Sequence, residues 1–488
     1  MRASLDSKHT KIVATIGPAS REPEVLRQMI RAGMNVARIN FSHGDHETHG
    51  RVIEHIRRIS AEEESVVAIL CDIQGPKIRL GMFEPEPMML AIGDTITLTT
   101  GDVLGSNGVV SLPHPEFVQD IRAGTTLLLD DGNLQFSVKE TDGRNLVCDV
   151  VVGGALKPRK GVSAPNARLT LSAITEKDRE DITFALAQDC DYIAMSFVRS
   201  AEDIRELKTL MAKLGRDAAV IAKIEMGEAL ENIEEIIEIC DGIMVARGDL
   251  GIETPAEEVP YHQKRIIKLC NAAAKPVITA TQMLESMTDN PRPTRAEASD
   301  VYNAILDGTD AIMLSAESAS GNYPVRAVEV MSEIAAIAER NLQNYKTAAG
   351  DATENVNGIQ SLDDSSNAIS KATFDISQAI KPKAIVTTSM SGYTTRRVAK
   401  ERPITPILCM TPMATTYRRM ALVWGVTPLL VEEFTTIDEM ISIIIRAAYD
   451  KGLVQRADRL VIIAGVPFGI DGRTNLIKIH TVGEEGEI

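Results

Sequence analysis

From residue 11 onward, short apolar runs alternate with stretches whose apolar residues recur every three or four positions. KIVATIG (11–17) predicts a strand, and EPEVLRQMIRAG predicts a helix closed by Gly33. NVARINF (35–41) predicts a second strand, a helix follows over about 45–63, and VVAILCDI (66–73) predicts a third strand. From about 76 to 171 the period falls to two, in DTITLTT, TTLLLDDGNLQFSV and NLVCDVVVGG, with DDGN and TDGR as turns. This predicts a β domain inserted after the third strand. The α/β rhythm returns at Thr175, where TEKD predicts a capped helix start. Strands are expected over 191–198, 219–225, 242–249, 275–283 and 310–318, each followed by a helix. Three strands before the insertion and five after make eight β/α units, which predicts a closed (β/α)8 TIM barrel.

KTAAGDATENVNGIQS (346–361) has no periodicity and reads as a linker. Beyond it a further α/β unit is expected, with strands near AIVTTS, TPILCM, TPLLVEE, RLVIIAG and NLIKIHTV. The expected division is therefore a barrel over 1–75 and 172–345, an inserted β domain over 76–171, a linker over 346–361 and an α/β domain over 362–488. At 488 residues the chain is too long for one ordinary core, in keeping with several domains.

Composition narrows the function. Charged residues make up 25% and hydrophobic ones 44%, as in soluble globular proteins. The 52 bases against 68 acids leave a net charge of −16, which argues against a nucleic-acid or anionic-membrane partner. No apolar run approaches the ~18 residues of a membrane span. Six cysteines lie far apart with no CxxC, so free thiols in a reducing cytosol are expected. MRASLDSKHTKIV has no apolar h-region, and the expected location is cytoplasmic.

Barrel enzymes build their sites at the carboxyl ends of the strands. Those ends supply Arg38, Asn40 and Ser42 from the second strand and Asp72 from the third. Lys223 and Glu225 end the fifth, Arg247, Gly248 and Asp249 the sixth, Thr281 and Gln282 the seventh, and Ser315 and Glu317 the eighth. Glu225 and Asp249, on adjacent strands, are hard oxygen donors suited to Mg²⁺ or Mn²⁺. The alternative, a pair of interface salt bridges, stays open. Lys223 and Glu225 share one side of their strand. A lysine beside a metal-binding acid suits a transferring phosphoryl group, although a plain ion pair has the same spacing. RGDLG places backbone N–H groups at a helix start, where they suit an anion. No GxxxxGK[ST] and no GxGxxG occurs. His43, His46, His49 and His55 follow one another at helical spacing and read as a solvated face rather than a metal site.

ARINFSHG, CDIQGPKIRLG, LLDDGN, AKIE, MVARGDLGIE, ATQMLESM, PTRAEASDVYNAILDGTDAIMLSAES and NLIKIHTV, in this order along almost the whole chain, resemble the pyruvate kinases. The resemblance implies a barrel with an inserted β-barrel lid after the third strand and a C-terminal α/β regulatory domain. It implies phosphoryl transfer from phosphoenolpyruvate to ADP, in the final step of glycolysis, by a magnesium-dependent homotetramer under allosteric control. Carried over by position, Glu225 and Asp249 hold the metal, Lys223 stabilises the phosphoryl group in flight, and Arg38 contacts it. N–H groups at Gly248 and Asp249, with Thr281, take the substrate carboxylate. Asn40, Arg79 and Lys160 face the nucleotide phosphates. Thr281 and Ser315 belong to the proton relay, which Glu317 orients.

The resemblance also implies an effector site in TTSMSGYTTRR (387–397), a strand end meeting a helix start. Its candidates are Thr387, Thr388, Ser389, Ser391, Gly392, Thr394 and Thr395, for a phosphorylated activator. A monovalent-cation region maps to Asn40, Ser42, Asp72 and the carbonyl of Ile73. There this chain departs from its relatives, reading IQGPK where many read TKGPE. It also has SAPN (163–166) where many read LPG, and Ser320 where many carry lysine. A Lys77 ammonium near Asp72 is expected to replace K⁺, so that K⁺ is not required. Two rivals remain: a magnesium-dependent pyruvate-enolate lyase or aldolase on the same barrel, and a catalytically dead regulatory homologue.

Overall fold

The computed structural model describes residues 8–106, 108–165, 167–348, 364–468 and 473–484, with the side chains of 342–348 and 364 left aside. The expected linker falls mostly on 349–363, outside the described residues.

Three strands, β1 (Lys11–Thr15), β2 (Val36–Asn40) and β3 (Ala68–Ile73), open the barrel. β1 and β3 are buried on both faces, as in a barrel whose wall separates a packed interior from a ring of helices. The helix between β1 and β2, Pro23–Ala32, starts with proline in its first turn and ends at Gly33, whose φ of 112° closes it with two carbonyl contacts. His46–Glu62 is capped by the Asp45 carboxylate, which accepts from Thr48 N–H.

The chain then leaves the barrel through Gly75. Its φ is +68°, and a Cβ there would lie 2.9 Å from the Phe197 ring and 3.3 Å from Ser196 Cβ, so only glycine fits. The inserted domain contains β4 (Met88–Leu90), β5 (Thr95–Thr99), β6 (Val109–Ser111), β7 (Thr126–Leu129), β8 (Leu134–Thr141), β9 (Asn145–Val152), β10 (Gly154–Leu156) and β11 (Val162–Ser163). Six form a sheet in the order β11-β7-β8-β9-β5-β6, and β10 pairs with β4. Alternate residues fill its own core around Phe83, Phe117 and Phe136.

Five strands complete the barrel: β12 (Tyr192–Met195), β13 (Ala219–Ile224), β14 (Gly242–Ala246), β15 (Val277–Ala280) and β16 (Ala311–Leu314). All pairs are parallel, and the order β1-β16-β15-β14-β13-β12-β3-β2 closes. Each strand stops short of its expected end. RGD is the start of a helix, Arg247–Glu253, and Thr281 and Gln282 leave the ladder with left-handed φ of 65° and 52°. The apolar pattern continues past the ladder because mouth residues are still buried, so pattern alone does not mark where pairing ends.

The C-terminal sheet is β19-β18-β17-β20-β21, from β17 (Ala384–Thr388), β18 (Ile407–Thr411), β19 (Val426–Leu430), β20 (Arg459–Ala464) and β21 (Leu476–Thr481). Only β21 is antiparallel to its neighbour. This domain closes the floor of the barrel. Ala421 and Leu422 pack in one apolar cluster with Val13, Leu70, Ile221 and Ile278. Tyr192 donates to the Arg419 carbonyl at 2.6 Å, and Arg418 pairs with Asp191 at 2.6 Å. Arg402 pairs with Asp310 at 3.0 Å, both nearly buried.

Candidate active site

At the upper mouth, one charged network crosses four adjacent strands. Arg38 projects from β2 and donates Nε–H to Asp72 Oδ2 at 2.7 Å and NH1 to Thr15 Oγ1 at 2.9 Å. Asp72 also meets Lys223 Nζ at 3.1 Å, and Lys223 reaches Glu225 Oε1 at 2.8 Å. Burial works against the Asp72 charge, but Lys223 and Arg38 outweigh it and hold the carboxyl below its usual range. Burial likewise opposes the Lys223 charge, and Asp72 and Glu225 overcome it, so the ammonium persists across the physiological range. Glu225 is pushed up by burial and, against the pull of Lys223, by the neighbouring charge of Asp249.

Glu225 and Asp249 line one cavity of about 70 Å³ between barrel and lid, together with Lys77, Asp131, Arg199 and Glu253. A buried carboxylate raised by a second one beside it is a donor set that a divalent cation relieves. Among the described residues no group of three or more His, Cys, Asp or Glu is arranged to hold a metal ion. Two protein carboxylates, with the remaining positions left to water and substrate oxygens, fit Mg²⁺ or Mn²⁺.

The opposite wall is built from strained backbone. Thr281 Oγ1 accepts from Gly248 N–H at 2.8 Å and donates to the Ala280 carbonyl at 2.6 Å. The Thr281 and Gln282 carbonyls are gripped by Arg247 NH2 at 2.7 and 3.1 Å, and Asp300 anchors Arg247 at 2.8 Å. Glu317 accepts from Ser315 N–H at 2.7 Å and from Leu284 N–H at 3.2 Å, and its burial raises its pKa. Ser315 Oγ is buried and has no hydrogen-bond partner among the described residues.

The family models match in two pieces. "Pyruvate kinase, barrel domain" covers residues 7–328 and "Pyruvate kinase, alpha/beta domain" covers 367–480. A pyruvate kinase of Geobacillus stearothermophilus is 47% identical over 98% of this chain and 81% of that protein. One of Clostridium perfringens is 45% identical over 97% of this chain and 99% of its own length. Pyruvate kinase 2 of Synechocystis is 45% identical over 99% of this chain and 80% of its own. The chain belongs to the pyruvate kinase family. It is accordingly a phosphotransferase, and no helix among its described residues is long and apolar enough to cross a membrane.

Some of the residues the pyruvate kinase resemblance singled out fall elsewhere than expected. Lys77 is half-buried and lines the cavity of Glu225 and Asp249. Among the described residues no ion pair joins it to Asp72, whose charge is taken by Arg38 and Lys223. The reason is topological: Gly75 and Pro76 turn the chain upward, away from the β3 end. Arg79 is exposed on the lid and donates to the Arg159 carbonyl at 3.0 Å, and Lys160 pairs with Asp130 at 2.6 Å. Asn40 Oδ1 accepts from Ser42 N–H at 3.1 Å.

In the C-terminal α/β domain, Thr388, Ser389, Ser391 and Thr394 line a cavity of about 380 Å³ that also holds Arg473 and Glu433. Thr387 and Thr395 do not line it. They hydrogen-bond each other at 2.8 Å inside the sheet–helix core. Gly392 caps the helix Tyr393–Lys400 with φ of 78° and abuts Met420.

Sequence reasoning missed Ser196, Phe197 and Asp300. Reading DYIAMSFV as strand throughout concealed that Ser196 and Phe197 leave the wall at the mouth.

Proposed function

We propose that the chain transfers the phosphoryl group of phosphoenolpyruvate to ADP, giving pyruvate and ATP. The observation that carries this reading is Lys223, a buried ammonium held between Asp72 and Glu225, with Glu225 itself lining the cavity between barrel and lid. Glu225 and Asp249 hold Mg²⁺, or Mn²⁺, which supplies Lewis-acid charge to the substrate oxygens. Lys223 and Arg38 place positive charge around the phosphoryl group, where negative charge spreads over the equatorial oxygens. The N–H groups of Gly248 and Asp249, with Thr281, orient the substrate carboxylate, which takes over the Gly248 N–H now donated to Thr281 Oγ1. Asn40, Arg79 and Lys160 face the nucleotide phosphates, and Lys160 now pairs with Asp130. Thr281 and Ser315 move a proton to the enolate carbon, and Glu317 holds the Ser315 backbone in place.

K⁺ is not required in this reading. Three of the groups that would bind it already have protein partners: Asp72 has Arg38 and Lys223, Asn40 Oδ1 has Ser42 N–H, and the Ile73 carbonyl has Ser196 Oγ–H at 2.8 Å. Lys77 adds its charge from the cavity wall. The cavity around Ser389 and Arg473 takes a phosphorylated effector, and the assembly is a cytoplasmic homotetramer.

The test is ATP formation from phosphoenolpyruvate and ADP, with Mg²⁺ present or chelated. ATP and pyruvate in equal amounts, abolished by chelation and by Glu225→Gln, support the reading. Pyruvate chemistry without ATP returns the chain to the enolate-lyase class.

A further inference from the structure

Lys223 has three ammonium hydrogens and three acceptors: Asp72 Oδ1 at 3.1 Å, Glu225 Oε1 at 2.8 Å and Ser196 Oγ at 2.6 Å. The shortest contact is to the uncharged one. Ser196 is 3% exposed and lies just past the end of β12. Its hydroxyl is 2.8 Å from the Ile73 carbonyl and 3.4 Å from Asp72 Oδ1. A carbonyl only accepts, so the Ser196 hydrogen goes to Ile73 and the lone pairs face Lys223.

The next residue holds Glu225. Phe197 has φ of 56°, a left-handed conformation that is an outlier for a bulky side chain. This turn aims its N–H at Glu225 Oε2, at 2.8 Å. One dipeptide thus grips the carboxylate by its backbone and the ammonium by its side chain. The lid hinge rests on the same dipeptide, since Gly75 packs against Phe197 and Ser196 so closely that a Cβ is excluded.

Asp72 is shared with Arg38, and Glu225 is committed to the metal in the reading above. Ser196 is the acceptor with no other duty toward substrate or ion. We propose that Ser196 is a positioning residue for phosphoryl transfer, fixing the Lys223 ammonium through its oriented hydroxyl, and that the left-handed Phe197 turn does the same for Glu225. This rests on the roles given to Lys223 and Glu225 under the proposed function. Ser196 acts on the lysine, so its loss is felt in the transfer step rather than in ion binding.

The experiment compares Ser196→Ala and Ser196→Thr with the wild type. Three quantities are read: kcat and KM for phosphoenolpyruvate, Mn²⁺ affinity by electron paramagnetic resonance in the absence of substrate, and melting temperature. Ser196→Ala is expected to lower kcat by about 10- to 100-fold, the scale set by sub-ångström misplacement of a reacting group. Its Mn²⁺ affinity is expected to stay within about 2-fold, because both carboxylates remain. Ser196→Thr keeps the oriented hydroxyl and is expected to recover most of the lost kcat. Wild-type kcat in the alanine variant overturns the proposal. So does a threonine variant as slow as alanine, or a loss of Mn²⁺ affinity as large as the loss of kcat. If the alanine protein does not fold, Ser196→Cys keeps the volume but offers only a weak sulfur acceptor, and the same outcomes apply. A wild-type chain that makes no ATP refutes the underlying function. A chain that makes ATP equally well with alanine at 196 refutes only the positioning.

Discussion

Asp72 is held by Arg38, whose Nε–H reaches Oδ2 at 2.7 Å. Lys223 takes the other oxygen at 3.1 Å, so the Asp72 charge is met from inside the barrel. In tetramethylammonium buffer free of K⁺, activity is expected to match that at about 100 mM K⁺. Lys77→Glu adds a further acid to the cavity that already holds Glu225, Asp249, Asp131 and Glu253, and is expected to lower activity and create a K⁺ requirement. A wild-type enzyme that is nearly inactive until K⁺ is added contradicts this account.

Glu253 sits at the far end of the helix that begins with RGD, under the lid. Burial pushes its carboxyl up from 4.5 to about 7, a hydrogen bond from Ser163 of the lid opposes this, and Asp249 adds to it. The folded pKa is raised, so the stability it contributes is complete below pH 4.5 and is lost as pH rises through about 7. Glu253→Gln is therefore expected to melt close to wild type at acid pH and above it at alkaline pH, in metal-free buffer. A constant difference in melting temperature across that window counts against the assignment.

The floor of the barrel depends on the C-terminal domain. Arg402 and Asp310 are a nearly buried pair, and Arg402 also donates to the Gly308 carbonyl at 2.6 Å. Arg402→Ala leaves Asp310 short of a partner and is expected to cost about 3–5 kcal/mol, read by denaturant unfolding. A cost near zero means that water replaces the arginine and the two domains are loosely joined.

The cavity around Ser389 makes a second functional claim. Thr388→Ala with Ser389→Ala, or Arg473→Ala alone, is expected to abolish activation by phosphorylated effectors while leaving basal turnover intact, read as the shift in the substrate saturation curve. Unchanged activation by every effector tested places the site elsewhere.

Much of this was legible in the chain. Eight apolar runs with a period-two interruption after the third gave the barrel and its insertion, because buried strands and half-buried strands differ in pattern. TEKD gave a capping box that the structure contains, Thr175 with Asp178. The strand ends carried the polar residues of the mouth, since side chains there have no apolar layer to fill. Other features were hidden for physical reasons. Lys77 looked adjacent to Asp72 because sequence distance says nothing about the turn at Gly75 and Pro76. Thr387 and Thr395 were expected among the effector-site residues, but β17 alternates, and Thr387 faces the helix that carries Thr395. The plug of Ala421 and Leu422 in the barrel floor is a contact between distant segments, which no local period encodes.

The central claim is that Lys223 carries charge in the transition state while Glu225 and Asp249 hold the ion. Lys223→Met separates these duties. The measurement is a paired assay on that one variant: phosphoryl transfer from phosphoenolpyruvate to ADP, and Mg²⁺-dependent proton exchange at the methyl group of pyruvate. The account predicts that transfer falls by about 10²–10³ or more while exchange and metal binding persist. Near wild-type transfer in the variant, or loss of both activities together with the metal, contradicts it.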